Sequence, residues 1–406
     1  MQENLFMTVP ATEVVGDAES ANDMVKTQRT EFEVFMSTSY EFRRNILADK
    51  YEVRQHQGPW RDLTDEAVNS IARQAKRELD ESKSWRTSVV EYIHSEETQR
   101  FDPIAEYLNS LPVWDGQDRV RELFRRLSGI SEEQISWCKT WLRSAVAHWL
   151  ELDQLHANES VITLIGPQGC GKSTFCAQLL PPAFRSYYLD HVNLGNKFDK
   201  EMALTSNLVV NIDELDQIKP GKQAELKQML SKIKVNGRPI FGRVQHDRRR
   251  FASFVATTNN PRPLQDPTGS RRYLCIEIGQ NALICNDLPI EYDQLYAQVI
   301  YEVRAQGLPY WFSPDEVRRI EEHNLKFQHV SDIESMLSAS FRRPMTDEVV
   351  KPILTREVVK VLSAKYPELK QTNGMNVKVG RLLKAMNFEQ KDTNQGSAYY
   401  LVPIAA

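Results

Sequence analysis

The chain has 406 residues, of which 41% are apolar, and its formal net charge is −4. That length leaves room for two or three domains with real cores, and the charge balance excludes a chain that is basic throughout, so any polyanion-binding surface has to be local. There is no run of about 18 apolar residues, which excludes a helical membrane span. The cysteines at 138, 170, 176, 275 and 285 form no C-x-x-C pair. An odd, scattered set is read as reduced thiols in a cytoplasmic protein, not as a disulfide frame or a zinc site. The N-terminus has no apolar signal core, and nothing repeats at a fixed period.

Residues 1–35 carry seven acids against two bases and show no periodic apolar face, so they are expected to be a flexible acidic tail. Residues 36–100 read as a small α+β or helical module. Within it, residues 40–45 suggest a helix and 47–53 a strand. Thr64 is a good N-cap for a helix whose stripe is Ala67, Val68, Ile71, Ala72 and Ala75. Residues 101–158 are mostly helical in pattern. Pro112 to Gly116 is a turn with Trp114 as an aromatic anchor. Val120, Leu123, Phe124 and Leu127 form one helix face; Trp137, Trp141 and Trp149 form another and are read as core.

Residues 160–165 are a short β-branched run, expected to be a buried parallel strand. Gly166, Pro167, Gln168, Gly169, Cys170, Gly171, Lys172 and Ser173 follow, matching G-x-x-x-x-G-K-[ST] at every specified position, and Thr174 opens a helix stopped at Pro181. In that pattern the loop N–H groups cradle phosphate oxygens, Lys172 reaches the β- and γ-phosphates of ATP, and Ser173 holds Mg²⁺. A second apolar run at 208–212 ends in Asp213 and Glu214. Asp213 is the second candidate Mg²⁺ ligand, and Glu214 the candidate for polarising the attacking water. Standing alone, an Asp-Glu pair after a strand reads equally as a helix cap.

Residues 219–250 hold ten bases against two acids. A basic helix comes first, and Asn236–Gly237 then gives a turn signal between two extended runs. Lys232, Lys234, Arg238, Arg243, Arg248, Arg249 and Arg250 are the candidate nucleic-acid contacts, with a solvated charged face as the alternative. A third strand, 254–260, is apolar and then polar at its end, where Asn259 or Asn260 could position the lytic water or sense the γ-phosphate. After a small-residue turn, Arg271 and Arg272 precede a fourth strand and are candidates for an arginine finger offered to a neighbouring subunit. Pairing with local acids such as Asp266 is the alternative for both.

Residues 281–335 read as lid or packing helices, one of them starting at Ser313 with Pro314 at its first position. Residues 340–406 carry eleven bases against six acids and suggest a winged helix: helices near 355–362 and 376–386, then strand, turn and strand as the wing. Winged helices also dock proteins, so the module alone does not decide its ligand.

The residues at 111–119, the loop 166–173, Asp213 to Asp216, Phe254 to Asn259 and Asp266 to Tyr273 together resemble the virulence-associated protein E family. These are P-loop ATPases related to superfamily 3 helicases and carried by phages, plasmids and other mobile elements. The resemblance spans about 101–325. It implies a helicase-like AAA+ core working as a homo-oligomeric ring such as a hexamer. In it Asp213 and Glu214 are the Walker B pair, Asn259 is the sensor, and Arg271 or Arg272 acts on a neighbour's nucleotide. Members are often fused to a primase; residues 1–100 show no such site, so either priming belongs to a separate replication partner or this protein only loads or remodels. The expected whole is an α/β chain: tail 1–35, N-terminal module 36–100, ATPase 101–335 and winged helix 340–406. Its expected function is ATP-driven unwinding of, or movement on, single-stranded or forked DNA, with no membrane involvement. An ATPase switch that binds nucleic acid without unwinding it, and an AAA+ protein remodeller, are the rivals.

Overall fold

A computed structural model describes residues 29–152, 156–218, 220–237, 246–329, 332–346, 348–367 and 369–404. The chain divides into two compact units, with the boundary along the sequence between Pro103 and Ile104.

The first unit opens with helix α1 (Glu31–Ser39), whose start is fixed by a capping box between Thr30 and Glu33. Phe35 and Met36 are buried on its inner face, so ordered structure begins inside the stretch expected to be tail. Strands β1 (Tyr40–Asn45), β2 (Lys50–Gln55) and β3 (Arg61–Asp62) follow. The expectation of a helix at 40–45 is corrected. Tyr40 and Phe42 alternate into the core while Glu41 and Arg43 pair across to Arg54 and Glu52, which is the two-residue period of a strand. Helices α2 (Asp65–Glu78) and α3 (Arg86–Ile93) cover the sheet through Val68, Ile71, Ala75, Val89 and Ile93. Strand β4 (Gln99–Phe101) completes the order β3-β2-β1-β4.

The second unit begins with helices α4 (Pro103–Asn109), α5 (Arg119–Phe124) and α6 (Glu132–Trp149). Its centre is a five-stranded parallel sheet. In chain order the strands are β5 (Val161–Ile165), β6 (Tyr188–Leu189), β7 (Val209–Asp213), then β10 and β11 below; helices α7 (Lys172–Ala177) and α8 (Lys197–Thr205) lie between them. Helix α9 (Pro220–Leu230) leads to a two-stranded ribbon, β8 (Lys234–Gly237) with β9 (His246–Arg249). The ribbon corrects the turn expected at Asn236–Gly237: both residues lie within β8, opposite Asp247 and His246. Strands β10 (Ser253–Thr258) and β11 (Tyr273–Glu277) complete the spatial order β11-β5-β10-β7-β6. Every residue of β5 and β10 is buried, which is why both read as unbroken apolar or β-branched runs. The tryptophans of α6 are core, as expected. The indole N–H of Trp141 donates to the carbonyls of Ser160 (3.0 Å) and Phe254 (3.1 Å), and that of Trp149 to Phe251 (3.0 Å), so α6 is anchored at the amino ends of the two central strands.

Helices α10 (Tyr292–Ile300) and α11 (Pro314–Asn324) pack on this core, and Ser313 and Glu316 form the capping box of α11. The Trp-Asp-Gly turn is a bracket for α10. Gly116 has φ +89, Arg119 Nε reaches Glu291 at 2.6 Å, and Asp118 accepts from Gln298 at 2.8 Å as well as from Lys139.

The last module comprises helix α12 (Asp332–Ser338), β12 (Phe341–Arg342), β13 (Ile353–Leu354), α13 (Thr355–Lys365), α14 (Asn373–Ala385), β14 (Gln390–Thr393), β15 (Gly396–Tyr399) and β16 (Val402–Pro403). The strands pair in the antiparallel order β13-β15-β14, with β12 against β16, around a core that includes Leu337, Val358, Leu362, Val379, Leu383 and Leu401. No helix among the described residues is long and apolar enough to cross a membrane.

Candidate nucleotide site

Strand register sets the site. Thr258 lies beside Ile165, and Thr257 beside Asp213, so β5, β10 and β7 end together at one edge of the sheet. The loop after β5, the polar end of β10 and the acids after β7 therefore share that carboxyl edge, where ligands of parallel sheets bind.

The loop has the conformation that its glycines permit. Gly169 has φ +79 and Gly171 φ +93, values that cost a side-chain-bearing residue conformational energy. A Cβ on Gly166 would sit 2.8 Å from Cβ of Ile278. The backbone N–H groups of residues 168–171 have no partner among the described residues, which leaves them available to an anion. Lys172 is 8% exposed, and its ammonium donates to the carbonyls of Gly166 (2.8 Å) and Pro167 (2.7 Å) and to Asn259 Oδ1 (2.9 Å). Three acceptors satisfy its three protons.

Asp213 accepts from the Thr257 hydroxyl at 2.6 Å, and Asp216 accepts from Asn260 Nδ2 at 3.5 Å and from Gln265 Nε2, through its carbonyl, at 2.6 Å. Glu214 is exposed and has φ +49, a left-handed conformation outside the strand. A cavity of about 300 Å³ opens beside Asp213 and Glu214, lined also by His191, Asn193, Gln217 and Lys222. No group of three or more His, Cys, Asp or Glu side chains that could hold a metal occurs among the described residues. A Mg²⁺ that travels with a triphosphate takes only one or two protein ligands, so Ser173 and Asp213 fit that chemistry.

Sequence reasoning missed the supports of this site. Asn286 Nδ2 donates to the Gly171 carbonyl (2.9 Å), and Ile284 N–H donates to Cys170 (3.0 Å), so residues 284–286 brace the loop from behind. Thr257 and Thr258 were legible only as strand residues; their hydroxyls orient the two aspartates.

The arginine pair lies elsewhere. Arg271 and Arg272 end a 3-10 turn at the amino end of β11, where Tyr273 is in register with Val161. Arg272 Nε reaches Glu159 at 3.1 Å and Arg271 reaches it at 3.3 Å; Glu159 also accepts from Ser231 at 3.0 Å. Their local acid is Glu159, whereas Asp266 pairs with Lys227. Six strand positions at about 3.3 Å each put the pair roughly 20 Å from the loop of its own chain.

The basic segment divides. Lys232 and Lys234 make no ion pair among the described residues, and Arg238 and Arg243 lie outside them. Arg248, Arg249 and Arg250, expected as nucleic-acid contacts, have their guanidinium groups engaged inside the fold. Arg250 is 1% exposed and donates to the carbonyls of Leu230 (2.6 Å), Lys232 (2.6 Å), Asn158 (2.8 Å) and Ala252 (2.8 Å). Burial pulls its pKa down to about 9, which still leaves it cationic at neutral pH. Arg248 reaches Glu201 at 3.2 Å; Arg249 donates to the carbonyls ending α6 and lies over the Phe251 ring at 4.4 Å. Arg250→Ala should therefore destabilise the second unit by about 3–5 kcal/mol, because it strands four buried carbonyls. A urea midpoint shift worth less than about 1 kcal/mol would show that the carbonyls find other partners.

A family model for the virulence-associated protein E-like domain matches residues 108–329. No curated protein matches the sequence. Among solved structures, the apo C-terminal region of NrS-1 (305–718) aligns at 12% identity and a TM-score of 0.47, covering 92% of this chain and 98% of that one. An A-form apo structure of the same region gives 12% and 0.47, covering 91% and 98%. The family match takes in the bracket turn, the loop, the acids, Asn259 and the arginine pair, and it extends over more than half of the 406 residues. The chain belongs to the virulence-associated protein E-like family.

Proposed function

We propose that this protein is an ATP-dependent DNA helicase or translocase serving the replication of a mobile element. In this reading its core is a P-loop AAA+ domain of the superfamily 3 helicase type and its last module is a winged helix. One observation carries the reading: Lys172 Nζ and Oδ1 of Asn259, the residue after β10, are 2.9 Å apart, with Asp213 at the end of the adjacent strand, so three distant segments converge at one sheet edge.

ATP and Mg²⁺ are the groups this edge suits, and Mg²⁺ when bound supplies charge neutralisation at the phosphates. Ser173 and Asp213 would hold the metal. The N–H groups of the loop through Thr174 would bind phosphate oxygens, and Lys172 would exchange its loop carbonyls for them. Glu214 would polarise the attacking water, and Asn259 would report the state of Lys172 to β10. Arg271 and Arg272, at the opposite edge, suit a neighbour's nucleotide, which supports a homo-oligomeric ring such as a hexamer. Single-stranded or forked DNA is the proposed substrate, with Lys232, Lys234, Arg238 and Arg243 as candidate contacts. Priming would fall to a separate protein, and the setting would be cytoplasmic.

The inward use of Arg248, Arg249 and Arg250 favours one rival, an ATPase switch that binds nucleic acid without unwinding it. Strand displacement on a forked duplex decides between them. The motor reading expects ATP-dependent displacement that is lost in Glu214→Gln. DNA-stimulated turnover without displacement would establish the switch.

A further inference from the structure

The cations of the last module are arranged unlike those of the basic segment. Residues 369–388 hold four bases and no acid. Lys378, Arg381 and Lys384 project from the outer face of α14; all three are exposed, and none has an ion-pair or hydrogen-bond partner among the described residues. Val379 and Leu383 face the core, so the helix is held firmly while its cations remain free.

We propose that the outer face of α14, with the turn between β14 and β15, is a duplex-DNA-binding surface. A cavity of about 540 Å³ separates α14 from the start of α13 and that turn, and no carboxylate lines it. Asn373, Asn376, Arg381 and Lys384 enter it from α14, Arg356 from α13 and Gln395 from the turn. Arg356 donates to Gln395 at 2.8 Å, which fastens the turn to α13 and holds it beside α14. The acid of the wing strand, Asp392, accepts from Gln390 at 2.7 Å and does not line the cavity.

The chemistry matches a B-form duplex. Thirteen helical residues span about 20 Å, and a major groove about 12 Å wide admits an α-helix. Asparagine amides suit the adenine edge, arginine the guanine edge, and lysines the phosphates on either side. Val377, 54% exposed on the same helix, offers an apolar contact of the kind a thymine methyl makes. The narrow major groove of A-form RNA excludes the helix. This surface stands apart from the nucleotide site and does not depend on the ATPase reading.

The test is binding of a labelled 20-base-pair DNA to the full chain, followed by fluorescence anisotropy over a salt series. The triple variant Lys378→Ala, Arg381→Ala, Lys384→Ala changes exposed side chains only, and its unfolding midpoint should match the parent's. Duplex affinity should fall at least tenfold, and the slope of log K against log salt should flatten by about 2–3, near 0.9 for each lost phosphate contact. Unchanged duplex affinity would overturn the proposal. An equal loss for duplex RNA and for heparin would also overturn it, by showing a general polyanion surface. Lys172→Ala should keep duplex binding intact, so failure of the nucleotide reading and failure of this one give different results.

Discussion

Lys172→Ala is expected to reduce ATP turnover to background, a loss of at least about 10²–10³-fold, the scale for removing one preorganised charge-stabilising donor. The ammonium lies where three segments meet, so its loss removes both the proposed phosphate ligand and the link to Asn259. Two effects need separating. Without the ammonium, the carbonyls of Gly166 and Pro167 lose their donor, and the loop itself could rearrange. Asn259→Ala separates them, because it leaves those two contacts in place. It should keep nucleotide affinity, measured with a fluorescent ATP analogue, near the parent value while kcat falls. Parent-level turnover in Lys172→Ala would remove the hydrolysis assignment altogether. A matched loss of affinity and kcat in Asn259→Ala would make Asn259 a binding residue instead of a sensor.

Much of this site was legible because buried parallel strands have a simple signature. The runs read at 160–165, 208–212 and 254–260 suit a parallel sheet covered on both faces, and in such a sheet the polar residues at their carboxyl ends gather at one edge. The strand at 40–45 was less legible. Only Tyr40 and Phe42 mark its inner face; its outer face is satisfied by partners on β2, which a linear reading cannot see. The arginines at 248–250 show the same limit. Composition counts them as surface charge, but four carbonyls converge on Arg250 from segments that lie up to 92 residues away in sequence. Glu159 carried no signal at all, being a single acid before a strand. It matters because β11 and β5 run in parallel register, which brings residue 272 to residue 159.

That register underlies the second large effect. Arg271→Ala should lower kcat by about 10³–10⁵-fold, the range for a finger supplied to a neighbour's nucleotide, with little change in nucleotide affinity. The two arginines are not equivalent. Arg271 is 42% exposed while holding Glu159 at 3.3 Å, whereas Arg272 is 13% exposed and also lies within 3.4 Å of Ser231. Under the proposed ring, Arg271 is thus the candidate to reach a neighbouring subunit, and Arg272 the one that fixes the turn. Arg272→Ala should cost stability more than chemistry. Glu159→Gln keeps the shape but removes the charge that both arginines share, and should lower kcat less than Arg271→Ala does. The edge-to-edge separation of roughly 20 Å makes action on the chain's own nucleotide unreachable without unfolding β11. Mixing settles the geometry. Subunits with Arg271→Ala retain Glu214, and subunits with Glu214→Ala retain Arg271, so a mixed assembly regains interfaces that hold both. Turnover should return on mixing two inactive preparations. If light scattering shows intact mixed assemblies and turnover stays absent, Arg271 serves its own subunit's fold and the shared-site reading fails.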